Sequence, residues 1–281
     1  MSEIAFVNGT WSALSEAVVS IQDRGFQFGD GVYEVIRTYG KAVFGLREHL
    51  SRLQASAAEI DILMPASLPS LDAAIRLGCE KCGFSDIQIY IQLTRGSAPR
   101  NHVYPDSSQT TWVMTFRETK KIPQEMREAG VSIVSTEDIR WAKCHVKSLN
   151  LLPNVLAKEA AARAGAFEAI FVREGKAMEG AASNLFAVFN RRIVTPPKGP
   201  YILSGITREV VLSLGPSLDF EMCEAPLLFK DLCVADEIFL TSTTIEVLSV
   251  VRFNGTPVGQ GQPGKTTQAL HKAFQSYVQE R

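Results

Sequence analysis

The chain has 281 residues, of which 46% are hydrophobic and 21% are charged, so it is long enough for about two domains with buried cores. Its 29 basic and 30 acidic residues nearly cancel, which argues against binding to nucleic acid or to an anionic membrane. No apolar run approaches the roughly 18 residues of a membrane span, and the five cysteines follow no disulfide pattern, so we expect a cytoplasmic protein that acts on small molecules.

The amino-terminal half shows clear hydrophobic periodicity. Apolar runs on both sides of Asn8 and Gly9 predict a two-residue hairpin. Alternation with period two predicts strands, and apolar residues at helical spacing predict helices. The predicted elements are, in chain order, strands over 32–39 and 42–46, helices over 47–60 and 69–82, and strands over 87–94 and 111–116.

A polar stretch over 117–123 is the best candidate for an interdomain link, so we place a domain boundary near residue 120. Hairpins mixed with isolated helices on both sides of it favour an α+β fold over a repeating parallel βαβ array. The elements predicted beyond the boundary are strands over 131–135, 168–172 and 184–189, a strand that begins at 236, and helices over 153–166, 206–214 and 264–277.

Some weak motifs have simpler explanations. The pattern G-x-G-x-x-G over 259–264 lacks a downstream βαβ unit and is typical here of a flexible loop. Cys79 and Cys82 have the spacing of metal ligands but no second pair, so packed thiols are favoured and no metal is expected. His49 and His271 lie in amphipathic helices, where solvated or capping roles are the default expectation.

Lys147 is the central candidate for chemistry. It lies among apolar residues just before a predicted helix. Burial lowers the pKa of a lysine and leaves a neutral amine, which can act as a nucleophile towards an aldehyde cofactor. A surface lysine with its charged end in water is the alternative that this segment leaves open.

Other polar residues are compatible with an anionic ligand. Gly205 precedes a helix whose first N–H groups, at Ile206 and Thr207, could hold a phosphate. The hydroxyls over 241–244 are suited to phosphate oxygens but are equally common in turns. Arg52 could bind the same phosphate through its guanidinium. A carboxylate such as Glu179 could keep a pyridine nitrogen protonated.

Together these residues resemble the class IV (fold-type IV) pyridoxal-phosphate aminotransferases. Within that family, the segments 94–102 and 137–141 are similar to the D-amino-acid transaminase branch. The family resemblance extends from about residue 4 to residue 278 and is carried, in order, by the segments 23–35, 147–152, 155–158, 179–180, 205–208 and 241–244.

The resemblance implies a smaller N-terminal α/β domain over 1–120 and a larger C-terminal pseudo-barrel domain over 121–281 that carries Lys147, with pyridoxal 5′-phosphate between them. It implies that Lys147 forms the Schiff base and moves a proton at the substrate Cα. Leu203 would lie against the cofactor ring, and Glu179 would pair with the ring nitrogen. The residues implied to hold the phosphate are Arg52, Ile206, Thr207, Ser242 and Thr243.

The resemblance also implies that Tyr33, Arg100 and His102 bind the substrate α-carboxylate, with the Arg100 to His102 loop reaching across a homodimer interface. The substrates would be a D-amino acid such as D-alanine and a 2-oxo acid such as 2-oxoglutarate.

The chain departs from the family pattern at four positions. Ala181 and Ala182 stand where serines are frequent, His145 where an acidic residue is common, and Lys143 where arginine is frequent. An L-branched-chain transaminase stays the nearest alternative because the segment 31–37 would suit either branch, and an aminodeoxychorismate lyase or an (R)-amine transaminase follows it. A binding module without cofactor is the alternative from a different class.

Overall fold

The computed structural model describes residues 1–106 and 109–280, so Arg281, the last residue of the predicted C-terminal domain, lies outside it. The chain forms two compact units. The first comprises residues 1–120 and 146–150, and the second comprises residues 121–145 and 151–280.

The first unit begins with the predicted hairpin, formed by β1 (Ile4–Val7) and β2 (Thr10–Ala13). Asn8 and Gly9 have φ values of 47° and 98°, the left-handed conformation that a two-residue hairpin turn requires at both positions. The prediction of this hairpin is therefore confirmed.

The remaining elements of the first unit form an antiparallel sheet and three helices among its described residues. The strands follow the order β2-β1-β6-β5-β3-β4, and helices α2 and α3 pack on the sheet. Leu50 and Leu53 of α2 and Ile75 of α3 meet Ile36 and Ile89 of the sheet in a common core. The bounds are α1 (Arg24–Phe28), β3 (Gly31–Tyr39), β4 (Ala42–Val43), α2 (Leu46–Ala58), α3 (Leu68–Cys82), β5 (Ile87–Thr94) and β6 (Thr111–Glu118).

The segment 146–150 belongs to the first unit because it pairs with the beginning of β3. Ser148 forms an antiparallel bridge with Val32, and the Leu149 N–H donates to the Gly31 carbonyl at 2.9 Å. Val146 is buried in the core of the same unit. Lys147 was expected in the second domain, whereas its segment packs with the first unit.

The second unit contains a ten-stranded mixed sheet among its described residues, with the order β12-β11-β10-β14-β15-β7-β8-β9-β13 and with β16 paired to β15. The pairs β7/β8, β15/β7 and β11/β12 are parallel, and the other pairs are antiparallel. The bounds are α4 (Gln124–Ala129), β7 (Val131–Glu137), α5 (Leu152–Arg163), β8 (Glu168–Arg173), β9 (Lys176–Gly180), β10 (Asn184–Phe189), β11 (Arg192–Thr195), α6 (Ile206–Leu214), β12 (Glu221–Glu224), β13 (Leu227–Leu228), α7 (Phe229–Leu232), β14 (Glu237–Ser242), β15 (Glu246–Phe253), β16 (Thr256–Pro257) and α8 (Lys265–Gln279).

The α+β prediction is confirmed, because an antiparallel sheet and a mixed sheet both carry isolated helices. Strands β9, β11, β12 and β13 and the short helices α1, α4 and α7 were not predicted from the sequence, and no bounds were predicted for β15 and β16. Within residues 1–106 and 109–280, no helix is long and apolar enough to cross a membrane.

Candidate active site

In the first unit, Lys147 and Tyr33 lie side by side. The Tyr33 N–H donates to the Lys147 carbonyl at 2.9 Å, and Lys147 Nζ lies 4.2 Å from the centre of the Tyr33 ring. The Lys147 N–H donates to Ser56 Oγ on α2 at 3.2 Å. The Tyr33 ring stacks on Tyr90, with 5.7 Å between their centres. The half-buried amine of Lys147 is therefore held on an aromatic surface, at a fixed place beside β3.

Arg52 belongs to a buried ionic cluster with Glu34 and His49. Its Nε donates to Glu34 Oε1 at 2.6 Å, and its Nη2 donates to Glu34 Oε2 at 2.8 Å. His49 Nδ1 lies 2.8 Å from the same Oε2. Glu34 is fully buried on β3, so this cluster anchors α2 to the sheet through three polar contacts.

The protonation states in this cluster follow from burial and charge. Burial raises the pKa of Glu34, but the positive charge of Arg52 and the hydrogen bonds from Arg52 and His49 outweigh burial and hold that pKa well below its usual range. Burial lowers the pKa of His49 despite the attraction of Glu34, and the charges of Arg52 and Lys147 lower it further. The imidazole is therefore neutral, and its Nδ1 carries the proton because a carboxylate can only accept. The expectation of a solvated or capping His49 is wrong.

Arg100 and His102 lie together on the ring of Phe28. The Arg100 guanidinium is 4.5 Å from the ring centre, and the His102 ring is 5.4 Å from it. Both side chains are exposed, and within the described residues neither makes a hydrogen bond or ring contact with Tyr33 or Lys147. The structure thus brings Arg100 and His102 of the predicted carboxylate site together on Phe28, but within the described residues it shows no contact between them and Tyr33.

Arg24 holds this loop by its backbone. Its Nη1 donates to the Asn101 carbonyl at 2.5 Å and to the Val103 carbonyl at 3.4 Å, and its Nη2 donates to the His102 carbonyl at 3.4 Å. Arg24 Nε is paired with Asp30 at 2.8 Å, and the Arg24 residue is 3% exposed. A buried arginine with three loop carbonyls on its guanidinium fixes the path of the loop.

In the second unit, Glu179 of β9 is a buried carboxylate with three donors. Arg140 Nη1 donates to its Oε1 at 2.5 Å, while Asn184 Nδ2 and the Leu203 N–H donate to its Oε2 at 3.1 Å and 3.0 Å. Arg140 is itself held by both oxygens of Asp138, at 2.9 Å and 3.0 Å. An ionised carboxylate in this position suits a protonated ring nitrogen.

Ile206 and Thr207 form the first turn of α6. Its N-cap, Gly205, provides no side-chain cap, so within the described residues the first N–H groups of this helix have no side-chain acceptor. Ser242 and Thr243 follow at the end of β14, where Ser242 Oγ lies 3.3 Å from Thr244 Oγ1. The adjacent Thr241 Oγ1 is buried and has no hydrogen-bond partner among the described residues.

These groups of the second unit fit pyridoxal phosphate. A helix N-terminus favours a phosphate dianion, and hydroxyls donate to phosphate oxygens. The buried Thr241 hydroxyl has no hydrogen-bond partner among the described residues, so this end of β14 has a polar group that a ligand could satisfy. Leu203 reaches Glu179 through its backbone N–H, which ties it to the carboxylate predicted to face the ring nitrogen.

Sequence reasoning did not identify Glu34 and Arg24 beside the predicted residues of the first unit, or Arg140 and Asn184 beside those of the second. Glu34 could have been found, since it is a charged residue within a strand whose neighbours Val32 and Ile36 are apolar core residues. His271 also has a partner that was not expected, because its Nε2 lies 3.2 Å from Glu246 Oε2.

The fold defined by these two units is that of the fold-type IV enzymes. The branched-chain amino acid aminotransferase of Escherichia coli superimposes with a TM-score of 0.94 at 28% identity, over 99% of this chain and 95% of that one. The T.th. branched-chain amino acid aminotransferase complexed with N-(5′-phosphopyridoxyl)-L-glutamate gives a TM-score of 0.90 at 26% identity, over 100% of this chain and 95% of that one.

The chain belongs to the class IV aminotransferase family, whose model matches residues 31–253. The D-alanine aminotransferase of Staphylococcus haemolyticus is 40% identical over 276 residues, which cover 98% of each chain.

Proposed function

We propose that this chain is a pyridoxal-phosphate-dependent transaminase that moves the amino group of D-alanine to 2-oxoglutarate, giving pyruvate and D-glutamate. The structural observation that carries the proposal is the amine of Lys147, held 4.2 Å from the centre of the Tyr33 ring. The choice of D-amino acids over branched-chain L-amino acids is supported by the higher identity to the D-alanine aminotransferase than to the branched-chain enzymes.

Pyridoxal phosphate, when bound, supplies an aldehyde that condenses with amines and a ring that takes up an electron pair. Lys147 Nζ would be the nucleophile towards that aldehyde and would then carry the proton at the substrate Cα. Glu179 would keep the ring nitrogen protonated, with Leu203 against the ring. The phosphate would be held by Arg52, Ile206, Thr207, Ser242 and Thr243.

Tyr33, Arg100 and His102 would bind and orient the substrate carboxylate through a phenol, a guanidinium and an imidazole. Orientation sets which face of the substrate Cα meets Lys147 Nζ, and thereby the stereochemical preference. A homodimer in which the Arg100 to His102 loop serves the partner's site, and a cytoplasmic location, belong to the same proposal.

The lysine assignment is tested by borohydride reduction of the protein with added cofactor, followed by peptide mapping. We expect the modification on Lys147 alone, and Lys147→Ala should abolish it. A modified peptide containing another lysine, such as Lys158, would overturn the assignment. A purified protein that stays colourless after addition of pyridoxal phosphate would favour the binding module instead.

The substrate assignment is tested by comparing D-alanine with L-leucine as the amino donor. We expect a clear preference for D-alanine, and equal or greater use of L-leucine would support the branched-chain alternative. Arg100→Ala should raise the apparent KM for D-alanine while bound cofactor is retained, and Arg163→Ala is a control because Arg163 is an exposed arginine of α5.

The shared loop is tested by mixing subunits. Lys147→Ala and Arg100→Ala subunits are each defective, but a heterodimer regains one intact site if Arg100 serves the partner's Lys147. We expect mixing after denaturation and refolding to restore part of the activity. Mixed dimers no more active than the two variants alone would place both residues in one subunit's site.

A further inference from the structure

Asn184, the first residue of β10, is a buried amide with three neighbours from the candidate site. Its Nδ2 donates to Glu179 Oε2 at 3.1 Å and to the Leu203 carbonyl at 2.9 Å. Its Oδ1 lies against Gly205, within 3.0 Å of the position that a Cβ on that glycine would occupy. One side chain therefore contacts the carboxylate, the segment beside it and the start of α6.

The contacts form a closed ring. The Leu203 N–H donates to the same oxygen of Glu179 that accepts from Asn184. Both partners of the Asn184 amide nitrogen are acceptors, so the orientation of the amide is determined. Aspartate in this place would have the same shape but would offer no donor to either of them.

The close contact with Asn184 explains why position 205 is a glycine. Its φ of −69° is available to any residue, so backbone conformation does not require glycine there. Among the described residues, the only contact under 3.0 Å for an added Cβ is Asn184 Oδ1; the next are Asn184 Cγ at 3.2 Å and Arg208 Cβ at 3.3 Å. The missing Cβ lets the N-terminus of α6 approach the amide.

On its other side, Asn184 is paired with Thr241 across the ladder between β10 and β14. Side chains of directly paired residues point to the same face of a sheet. The next residues in the chain, Ser242 and Thr243, are the hydroxyl residues predicted to hold the phosphate. Asn184 is thus adjacent to both segments of the second unit predicted to contact the phosphate.

We propose that Asn184 is a positioning residue that fixes the distance between the Glu179 carboxylate and the N-terminus of α6. The two ends of the cofactor, its ring nitrogen and its phosphate, need partners at one fixed separation. Asn184 sets that separation through its amide and through its contact with Gly205. This inference rests on the proposed function, because it assigns those two groups to pyridoxal phosphate.

The test compares the dissociation constant of pyridoxal phosphate for four single variants and one double variant with that of the wild type, measured by fluorescence quenching. Asn184→Ala and Asn184→Asp should each bind roughly 10- to 100-fold more weakly, the effect of losing a hydrogen bond to a charged group. Asn154→Ala is the matched control, since its amide donates only to the Ala181 carbonyl among the described residues, and it should bind within about threefold of wild type.

A purely structural role is excluded by two further readouts. Asn184→Asp adds a negative charge beside Glu179, so the absorption change of the bound cofactor with pH should move to higher pH, which Asn184→Ala should not reproduce. Gly205→Ala, the fourth variant, should weaken binding strongly in the wild type and much less when Asn184 is alanine, because the clash is with Asn184.

The outcomes are distinguishable. If the wild type binds no pyridoxal phosphate, the proposed function is refuted. If the wild type binds it but the Asn184 variants bind equally well, or if the effects of Gly205→Ala and Asn184→Ala are additive, only the positioning role of Asn184 is refuted. Gly205→Ala disturbs the contact without altering Asn184, so it still tests the proposal if an Asn184 variant fails to fold, and binding by Gly205→Ala equal to that of the wild type would then refute the positioning role.

Discussion

The buried cluster around Glu34 makes a sharp prediction about stability. Glu34→Gln keeps the shape of the side chain but replaces one carboxylate oxygen with an amide nitrogen. Arg52 donates to both oxygens, through Nε to Oε1 and Nη2 to Oε2, so the new amide faces an arginine donor in either orientation. A change of the His49 tautomer cannot relieve that conflict.

Breaking a buried ion pair from one side costs about 3–5 kcal/mol. The Arg52 side chain is 13% exposed, so water compensates part of its lost pairing and the cost should lie near about 3 kcal/mol. Urea unfolding followed by tryptophan fluorescence measures the change, because Trp11 and Trp112 both lie in the first unit. The midpoint should fall without a change in slope.

Glu159→Gln is the matched control, because Glu159 pairs with Arg163 on α5 at 2.8 Å while their side chains are 56% and 78% exposed. Such an exposed pair contributes about 0.3–0.5 kcal/mol at most. A loss for Glu34→Gln no larger than that of the control would refute the assignment of a tightly paired carboxylate at Glu34.

The pH dependence of the same variant has a definite sign. The pKa of Glu34 in the folded state lies far below its ordinary value of 4.5. Its stabilisation is therefore fully present above about pH 4.5 and is lost as the pH falls towards the folded-state pKa, because the unfolded chain binds the proton first. The gap in unfolding free energy between wild type and Glu34→Gln should stay constant from pH 7 to about 5 and narrow below. A gap that widens in acid would contradict this.

Two further predictions concern packing and the substrate loop. Gly78→Ala places a Cβ closer than 3.0 Å to the Phe116 ring, so it should lower the free energy of unfolding by about 1–3 kcal/mol. Gly199→Ala is the control, because the space around its Cβ is open, and it should change that free energy by less than about 0.5 kcal/mol. Equal effects of the two variants in urea unfolding would disprove the overlap with Phe116. Arg24→Lys removes the guanidinium that donates to the carbonyls of residues 101–103. The apparent KM for D-alanine should therefore rise by about tenfold, with a smaller change in kcat. A larger change in kcat than in KM, measured by steady-state kinetics, would contradict a role of Arg24 in placing the loop.

The strand with the strongest period-two alternation, β5, was predicted to the residue. Strand β5 alternates isoleucines or leucine with polar residues over Ile87–Thr94, and its buried positions alternate in the same way, because one face covers the core. Strand β9 (Lys176–Gly180) has the sequence KAMEG and no such pattern. Strand β9 forms because it pairs with β8, and local sequence propensity does not reveal that pairing.

The same distinction separates the predicted site residues from those that were missed. The sequence places His49 and Arg52 three residues apart on one helix, so they share a face. It does not show which strand that face covers, and Glu34 is 15 and 18 residues away from them. Yet a buried carboxylate requires charged or hydrogen-bonding partners. A strand with one acidic residue among core positions, followed by a helix with His and Arg on one face, is therefore a signal that this cluster could form, and the packing of α2 on β3 brings Glu34 to Arg52.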